Sequence, residues 1–162
     1  MLHLLLPIFA LFACPDCNAT PLASIQPELD IEQTLTLIKP DALAHEQEIL
    51  SFYEETSLKI VAKKKMQLSP EQARSFYSHL KDKPFYNDLV SYISSGPIEA
   101  ILLEGEDAVA VNRQIIGTTD PHKASAGTIR AEFGTDVQHN AVHGSDTPEN
   151  ALKEIAYFFP GE

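Results

Sequence analysis

Polar and apolar residues alternate over residues 33–39, where Thr34 and Thr36 interleave with Leu35, Leu37 and Ile38. That period of two predicts a strand, and Pro40 ends it. A helix is expected over residues 44–56, carrying Ile49, Leu50, Phe52 and Tyr53, and a second strand over 58–68, in which Lys63, Lys64 and Lys65 read as a solvated edge. Ser69, Pro70 and Glu71 form a helix start: a hydroxyl cap, a proline at the first helical position and an acid near the positive dipole end. Ala73, Phe76, Tyr77 and Leu80 follow at helical spacing, and a short helix fits residues 85–93 before Ser-Ser-Gly-Pro. Residues 98–105 are nearly continuously apolar and of strand length, which suits a central strand, and the helix after them ends at Gly117. Residues 118–138 are rich in turn formers and lack a period, so they read as a long functional loop. A last helix starts at Thr147 and Pro148, with Leu152, Ile155, Ala156 and Phe159 expected on its buried face. Three strands interspersed with helices predict an α/β sandwich, helices over a small sheet.

At 162 residues and 44% hydrophobic content, the chain fits one compact domain over residues 31–162. Residues 1–30 read as an apolar leader and a linker. The apolar run over residues 2–13 is shorter than a bilayer span and matches the core of a signal peptide, although Pro7 interrupts it and no Lys or Arg precedes Lys39. Two readings stay open: an export signal cleaved near Ala19, giving a periplasmic or secreted protein, or a start-site extension on a cytoplasmic one. No integral membrane span is expected. Cys14 and Cys17 have the spacing of a redox pair or half a zinc site, but no second cysteine pair completes the latter.

A formal charge of −11 excludes attraction of nucleic acid or an anionic membrane by the overall field. An anionic ligand must therefore be captured locally. Between Lys83 and Lys153 the basic residues are Arg113, Lys123 and Arg130, all close together in the chain.

Just beyond them lies "HNAVHGSD", residues 139–146. His139 and His143 imitate the spacing of a zinc-protease pair, but Asn140 stands where that motif needs its Glu, and no third ligand is in view. Ser145 lacks the Gly-x-Ser-x-Gly frame of a hydrolase nucleophile. What remains is histidine as the nucleophile itself, attacking a phosphoryl group through a ring nitrogen fixed by its neighbours. Arg113 and Arg130, with Thr119, can fork onto phosphate oxygens; Lys39 leaves the first strand at its end. Glu154 lies six residues past Pro148, too deep in the last helix to be a cap, so it needs another partner. Each residue taken singly has an ordinary structural role; their conjunction points to phosphoryl transfer.

The segments "TLTLIKPDA", "KDKPFYNDLVSYISSGP", "LEGEDAV", "GTTDPHKASAGTIRAEFG" and "NAVHGSD" followed by "ENALKEIAYFF" resemble, in order and spacing, the nucleoside diphosphate kinase family over residues 32–159. The resemblance implies a ferredoxin-like βαββαβ core, an α/β (α+β sandwich) fold with a small antiparallel sheet and additional helices. It implies transfer of the γ-phosphoryl group from a nucleoside triphosphate, typically ATP, to a nucleoside diphosphate by a ping-pong route through a phosphohistidine on His143. By the same resemblance Lys39, Tyr77, Arg113, Thr119 and Arg130 hold phosphates or ribose, Asn140 and Lys39 meet sugar hydroxyls, Phe85 stacks on the base, and Val137 lines the base's other side. Ser145 and Glu154 orient the ring. The implied cofactor is Mg2+, held mainly by the nucleotide's phosphates rather than by protein ligands, and the implied assembly is a homo-oligomer, tetramer or hexamer. Ala126, where a proline is common, and the residues 131–133 depart from the family pattern in the loop that makes subunit contacts. The alternative from another class is a catalytically idle nucleotide-binding or protein-interaction module on the same fold.

Overall fold

The computed structural model describes residues 30–161. The leader, Cys14 and Cys17 lie outside the described residues. Four strands, β1 (Ile31–Ile38), β2 (Lys59–Met66), β3 (Ile98–Glu106) and β4 (Val142–Gly144), form one antiparallel sheet in the order β2-β3-β1-β4. The helices are α1 (Glu46–Glu54), α2 (Pro70–Phe76), α3 (Tyr86–Ile93), α4 (Ala108–Ile116), α5 (Ile129–Phe133) and α6 (Pro148–Phe158). Strands β1 and β3 sit centrally, with helices between the first and second and between the third and fourth strands, which is the split βαβ arrangement of a ferredoxin-like core.

Strand alternation sorts the core into two layers. Leu35, Leu37, Ile98, Ala100 and Leu102 point to one face, where they meet Phe76 of α2, Ile93 of α3, and Ile155 and Phe158 of α6. Ile38, Ile101 and Leu103 point to the other, against Ile49 and Tyr53 of α1, Ile116 of α4 and Ile129 of α5. Burial on both faces is why residues 98–103 read as a nearly continuous apolar run, Glu99 its one polar position. The second face also holds a polar knot in which Thr36 Oγ1 and Tyr53 Oη both donate to Asn112 Oδ1 at 3.0 Å. Strand β2 is a sheet edge, and Lys63 and Lys65 lie on its solvated side, with Lys65 paired to Glu46 at 2.5 Å.

The cap at Ser69 is a full capping box: its Oγ accepts from the Gln72 amide, and the Gln72 side chain accepts from the Ser69 amide. Helix α2 stops at Phe76, so Tyr77 is its cap and Leu80 belongs to a 3-10 turn. Three expectations need correction. The segment read as a loop contains a 3-10 turn at Pro121–Lys123 and the five-residue α5. Strand β4 arises inside the histidine motif, where three residues are too few to show a period. On α6, Ile155 and Phe159 are buried as expected, but Leu152 is 66% exposed and Ala156 also faces solvent, and Ala151 and Phe158 bury in their place. Half of the set an i, i+3, i+4 reading selects thus stays on the buried face, which is completed by Ala151 and Phe158 rather than by Leu152 and Ala156.

Two backbone features position β4. The Val142 amide donates to the Asn140 carbonyl at 2.7 Å across Ala141 at φ +67°, a tight γ-type turn that steers the chain into the sheet. Gly144 then passes close beneath α4: a Cβ there would sit 2.6 Å from Ile116 Cδ1 and 3.1 Å from Asn112 Nδ2. Among the described residues no helix is long and apolar enough to cross a membrane.

Candidate active site

Pairing of β1 with β4 sets His143 opposite Leu37, and α6 runs back past it, bringing Glu154 to the ring. His143 Nε2 lies 3.0 Å from Glu154 Oε2. Ser145 Oγ donates to the same carboxylate oxygen at 2.6 Å and accepts from the Leu35 amide at 3.3 Å. A carboxylate beside Nε2 favours the proton there, which leaves the lone pair on Nδ1. The rings of Phe76 and Tyr77 stand edge-on to the imidazole at 5.6 and 6.1 Å and restrict its tilt. The Tyr77 hydroxyl is buried without a hydrogen-bond partner, and burial together with the Glu154 charge pushes its phenol up, so it remains a donor.

The ring opens on a cleft of about 530 Å³. Lys39, Tyr77, Phe85, Arg113, Thr119, Arg130, Val137, Asn140, His143 and Glu154 all line it, so ten of the eleven residues singled out from sequence converge. The eleventh, Ser145, is fully buried behind the histidine and acts on Glu154 rather than on the cavity.

The wall facing the histidine is built of cations. Arg130, 6% exposed, donates through Nη1 to the Gly117 carbonyl at 2.9 Å and through Nη2 to the Val142 carbonyl at 3.0 Å, while its Nε has no partner. Burial, and then the neighbouring Arg113 charge, lower its pKa to about 10. Lys39 donates to Asn140 Oδ1 at 2.6 Å, and Asn140 Nδ2 donates in turn to the Thr119 carbonyl at 2.9 Å, so one amide ties the lysine to the loop. Burial, reinforced by Arg130 and opposed by Asp41 and Asp136, lowers the Lys39 ammonium to about 8. Among the described residues no carboxylate lies within 4.0 Å of Lys39, Arg113 or Arg130. Lys39 and Arg130 are buried, Arg113 is exposed; buried cations without a counter-charge are costly, and an anion is the partner this wall lacks. At the mouth, Phe85 is 48% and Val137 57% exposed, offering apolar surface to a flat ring.

The sequence reading passed over other lining residues. His79, Leu80, Leu89, Gln138 and Asn150 also face the cleft, the leucines having the helical spacing of core positions. Asp146 lines it too; its Oδ1 accepts from Asn150 Nδ2 at 2.7 Å, which holds its carboxyl below the usual range, while Thr147 caps α6. His139 does not line the cleft: its Nδ1 lies 3.0 Å from Asp136 Oδ2.

The family model for nucleoside diphosphate kinase matches residues 32–162. The nucleoside diphosphate kinase of Granulibacter bethesdensis is 53% identical over 133 residues, covering 81% of this chain and 95% of that protein; that of Dechloromonas aromatica is 53% identical, covering 81% and 94%. Among solved structures, the Aquifex aeolicus nucleoside diphosphate kinase superposes with a TM-score of 0.77 at 44% identity, covering 81% of this chain and 96% of that one. A Halobacterium salinarum nucleoside diphosphate kinase solved in complex with CDP gives 0.75 at 41% identity, covering 80% and 88%. A shared fold, a near-complete family match and relatives above half identity agree: this chain belongs to the nucleoside diphosphate kinase family.

Proposed function

We propose that the protein moves the γ-phosphoryl group of a nucleoside triphosphate to a nucleoside diphosphate, with His143 as the intermediate carrier. The observation that carries this reading is an imidazole whose Nε2 is engaged by Glu154 while Nδ1 remains available, beside a cleft where Lys39, Arg113 and Arg130 have no carboxylate within 4.0 Å among the described residues. The triphosphate lies against Arg113, Arg130 and Thr119, and Nδ1 attacks in line. The Nδ1–P bond forms as the bond from the γ-phosphorus to the bridging oxygen breaks, and the electron pair leaves with the diphosphate. The Nε2 proton stays between ring and Glu154, whose charge balances the cationic phosphoimidazole. A second diphosphate then takes the phosphoryl group by the reverse step.

Phosphoryl transfer needs positioning and charge stabilisation more than covalent assistance, which is what a fixed ring and two guanidiniums supply. Tyr77 donates its hydroxyl toward the transferring group. Lys39 and Asn140 meet the sugar hydroxyls, Phe85 stacks on the base and Val137 covers its other side, contacts that tolerate any base. Of the lining carboxylates Glu154 is engaged with the ring, leaving Asp146. One protein oxygen suits Mg2+, which binds through phosphates and one or two carboxylates and keeps its waters. When bound, the ion would neutralise phosphate charge, with Asp146 as the chain's donor. The same reading takes the working form to be a homo-oligomer, a tetramer or a hexamer.

The test is incubation with γ-labelled ATP, then GDP. An acid-labile phosphoprotein that decays on adding GDP, with labelled GTP appearing, is expected, and none from His143→Ala. Nucleotide binding without a phosphoprotein would favour the idle module instead.

A further inference from the structure

The turn at Ala141 is unusual because a residue with a Cβ disfavours φ +67° unless its surroundings hold it there. Three contacts do so. The Lys39 amide donates to the Ala141 carbonyl at 2.9 Å, and the Ala141 amide donates to Asp41 Oδ2 at 3.2 Å. The other oxygen of Asp41 accepts from the hydroxyl of Tyr92, near the end of α3. The Tyr92 ring lies 5.7 Å from Lys39 Nζ and meets the His139 ring edge-on at 4.6 Å. Neither Asp41 nor Tyr92 lines the cleft, and phosphoryl transfer as described above gives them no task.

Their position supplies one. Asn140 opens the turn, and its amide is what ties Lys39 to Thr119. If the Ala141 amide loses its acceptor, no ladder partner replaces it, and the Asn140–Ala141 peptide is free to relax toward negative φ. That relaxation would turn the Asn140 side chain and loosen its hold on the ammonium. Burial and the Asp41 carboxylate both push the Tyr92 phenol up, so it stays a donor through the neutral range.

We propose that Asp41 and Tyr92 form a clamp on this turn, positioning residues that aim Asn140 and Lys39 at the nucleotide's sugar. The inference rests on the reading that those two side chains meet sugar hydroxyls. A merely structural role would weaken all substrates alike; a clamp on the sugar site acts selectively.

The experiment compares kcat/KM for a nucleoside diphosphate and its 2′,3′-dideoxy analogue in the full chain, in Asp41→Ala and in Tyr92→Phe. The unaltered protein is expected to favour the hydroxyl-bearing substrate. Asp41→Ala is expected to shrink that preference ~5-fold and Tyr92→Phe ~2-fold, the scale of one loosened hydrogen bond, while phosphorylation of His143 at saturating ATP stays within ~3-fold. A preference kept in full by both variants, whatever their absolute rates, overturns the clamp while leaving the sugar contacts standing. An unaltered protein that draws no distinction between the two substrates overturns the sugar reading and the clamp with it. Should Asp41→Ala fail to fold, Tyr92→Phe removes a single oxygen and carries the same test.

Discussion

On one wall of the cleft His143, Ser145 and Glu154 satisfy one another at 2.6 and 3.0 Å; on the other, Lys39, Arg113 and Arg130 have no carboxylate within 4.0 Å among the described residues. The first wall rests on β4 and α6, regular elements pinned by the sheet, and its geometry needs no ligand to complete it. The second draws Lys39 from just past β1, Arg113 from α4 and Arg130 from α5, and the burial cost of Lys39 and Arg130 is one an incoming phosphate would relieve. In the proposed reaction the reacting group is thus preorganised by the fold, whereas the proposed binding groups are held in readiness at some expense in stability.

Four measurements would break or sharpen this contrast. His143→Ala should lower transfer by ~10⁴-fold or more, yet leave nucleotide affinity close to unchanged, since the cationic wall is intact. Calorimetric titration with a diphosphate checks the second half, and lost binding would show that the walls are not separable. Arg130→Met should reduce kcat/KM by ~10²–10³-fold through lost charge stabilisation, without altering the ring's contact with Glu154. Glu154→Gln should slow phosphoprotein formation by ~10–100-fold while KM for ATP moves little, because it loosens the ring and not the phosphate seat. Rapid-quench measurement of the phosphoprotein separates the two effects.

The fourth concerns pH. Lys39 has its folded pKa depressed to about 8 from 10.5, so between those values the unfolded chain holds a proton the folded one does not, and its contribution to stability rises with pH there. Below pH 8 the buried charge opposes folding fully. Catalysis has the opposite sign: losing the ammonium weakens the nucleotide site, so kcat/KM should fall as pH rises through about 8, by ~10-fold per unit at the steepest. Lys39→Arg should remove that descending limb in a pH–rate profile.

How much of this was legible in the chain depends on length and burial. The strands of residues 33–39 and 98–105 announced themselves because burial on one or both faces writes a long pattern. Strand β4 did not, for three residues carry no period, and α5 was hidden in a segment dominated by turn formers. The buried face of α6 was only half legible: Ile155 and Phe159 were read correctly, but Leu152 is apolar yet exposed, a surface position that hydrophobicity alone cannot distinguish from core. The candidate site residues were picked out through motif order and resemblance, not periodicity: Glu154 was marked by being an acid too deep in a helix to cap it. Asp41 escaped notice because its partner is a backbone amide a hundred positions away, and Tyr92 because it acts only through Asp41; no side-chain pattern records either.

The passage of Gly144 beneath α4 also bears on which mutational paths are open to this protein. A methyl at position 144 would press on Ile116 Cδ1 at 2.6 Å, an atom belonging to a flexible side chain and not to the backbone. Gly144→Ala should therefore lower activity in part rather than abolish it, by crowding the strand that carries His143, and Ile116→Val, which deletes the obstructing carbon, should restore some of the loss. The two sites form an intragenic suppressor pair, and a selection for revertants of the first lesion should return the second.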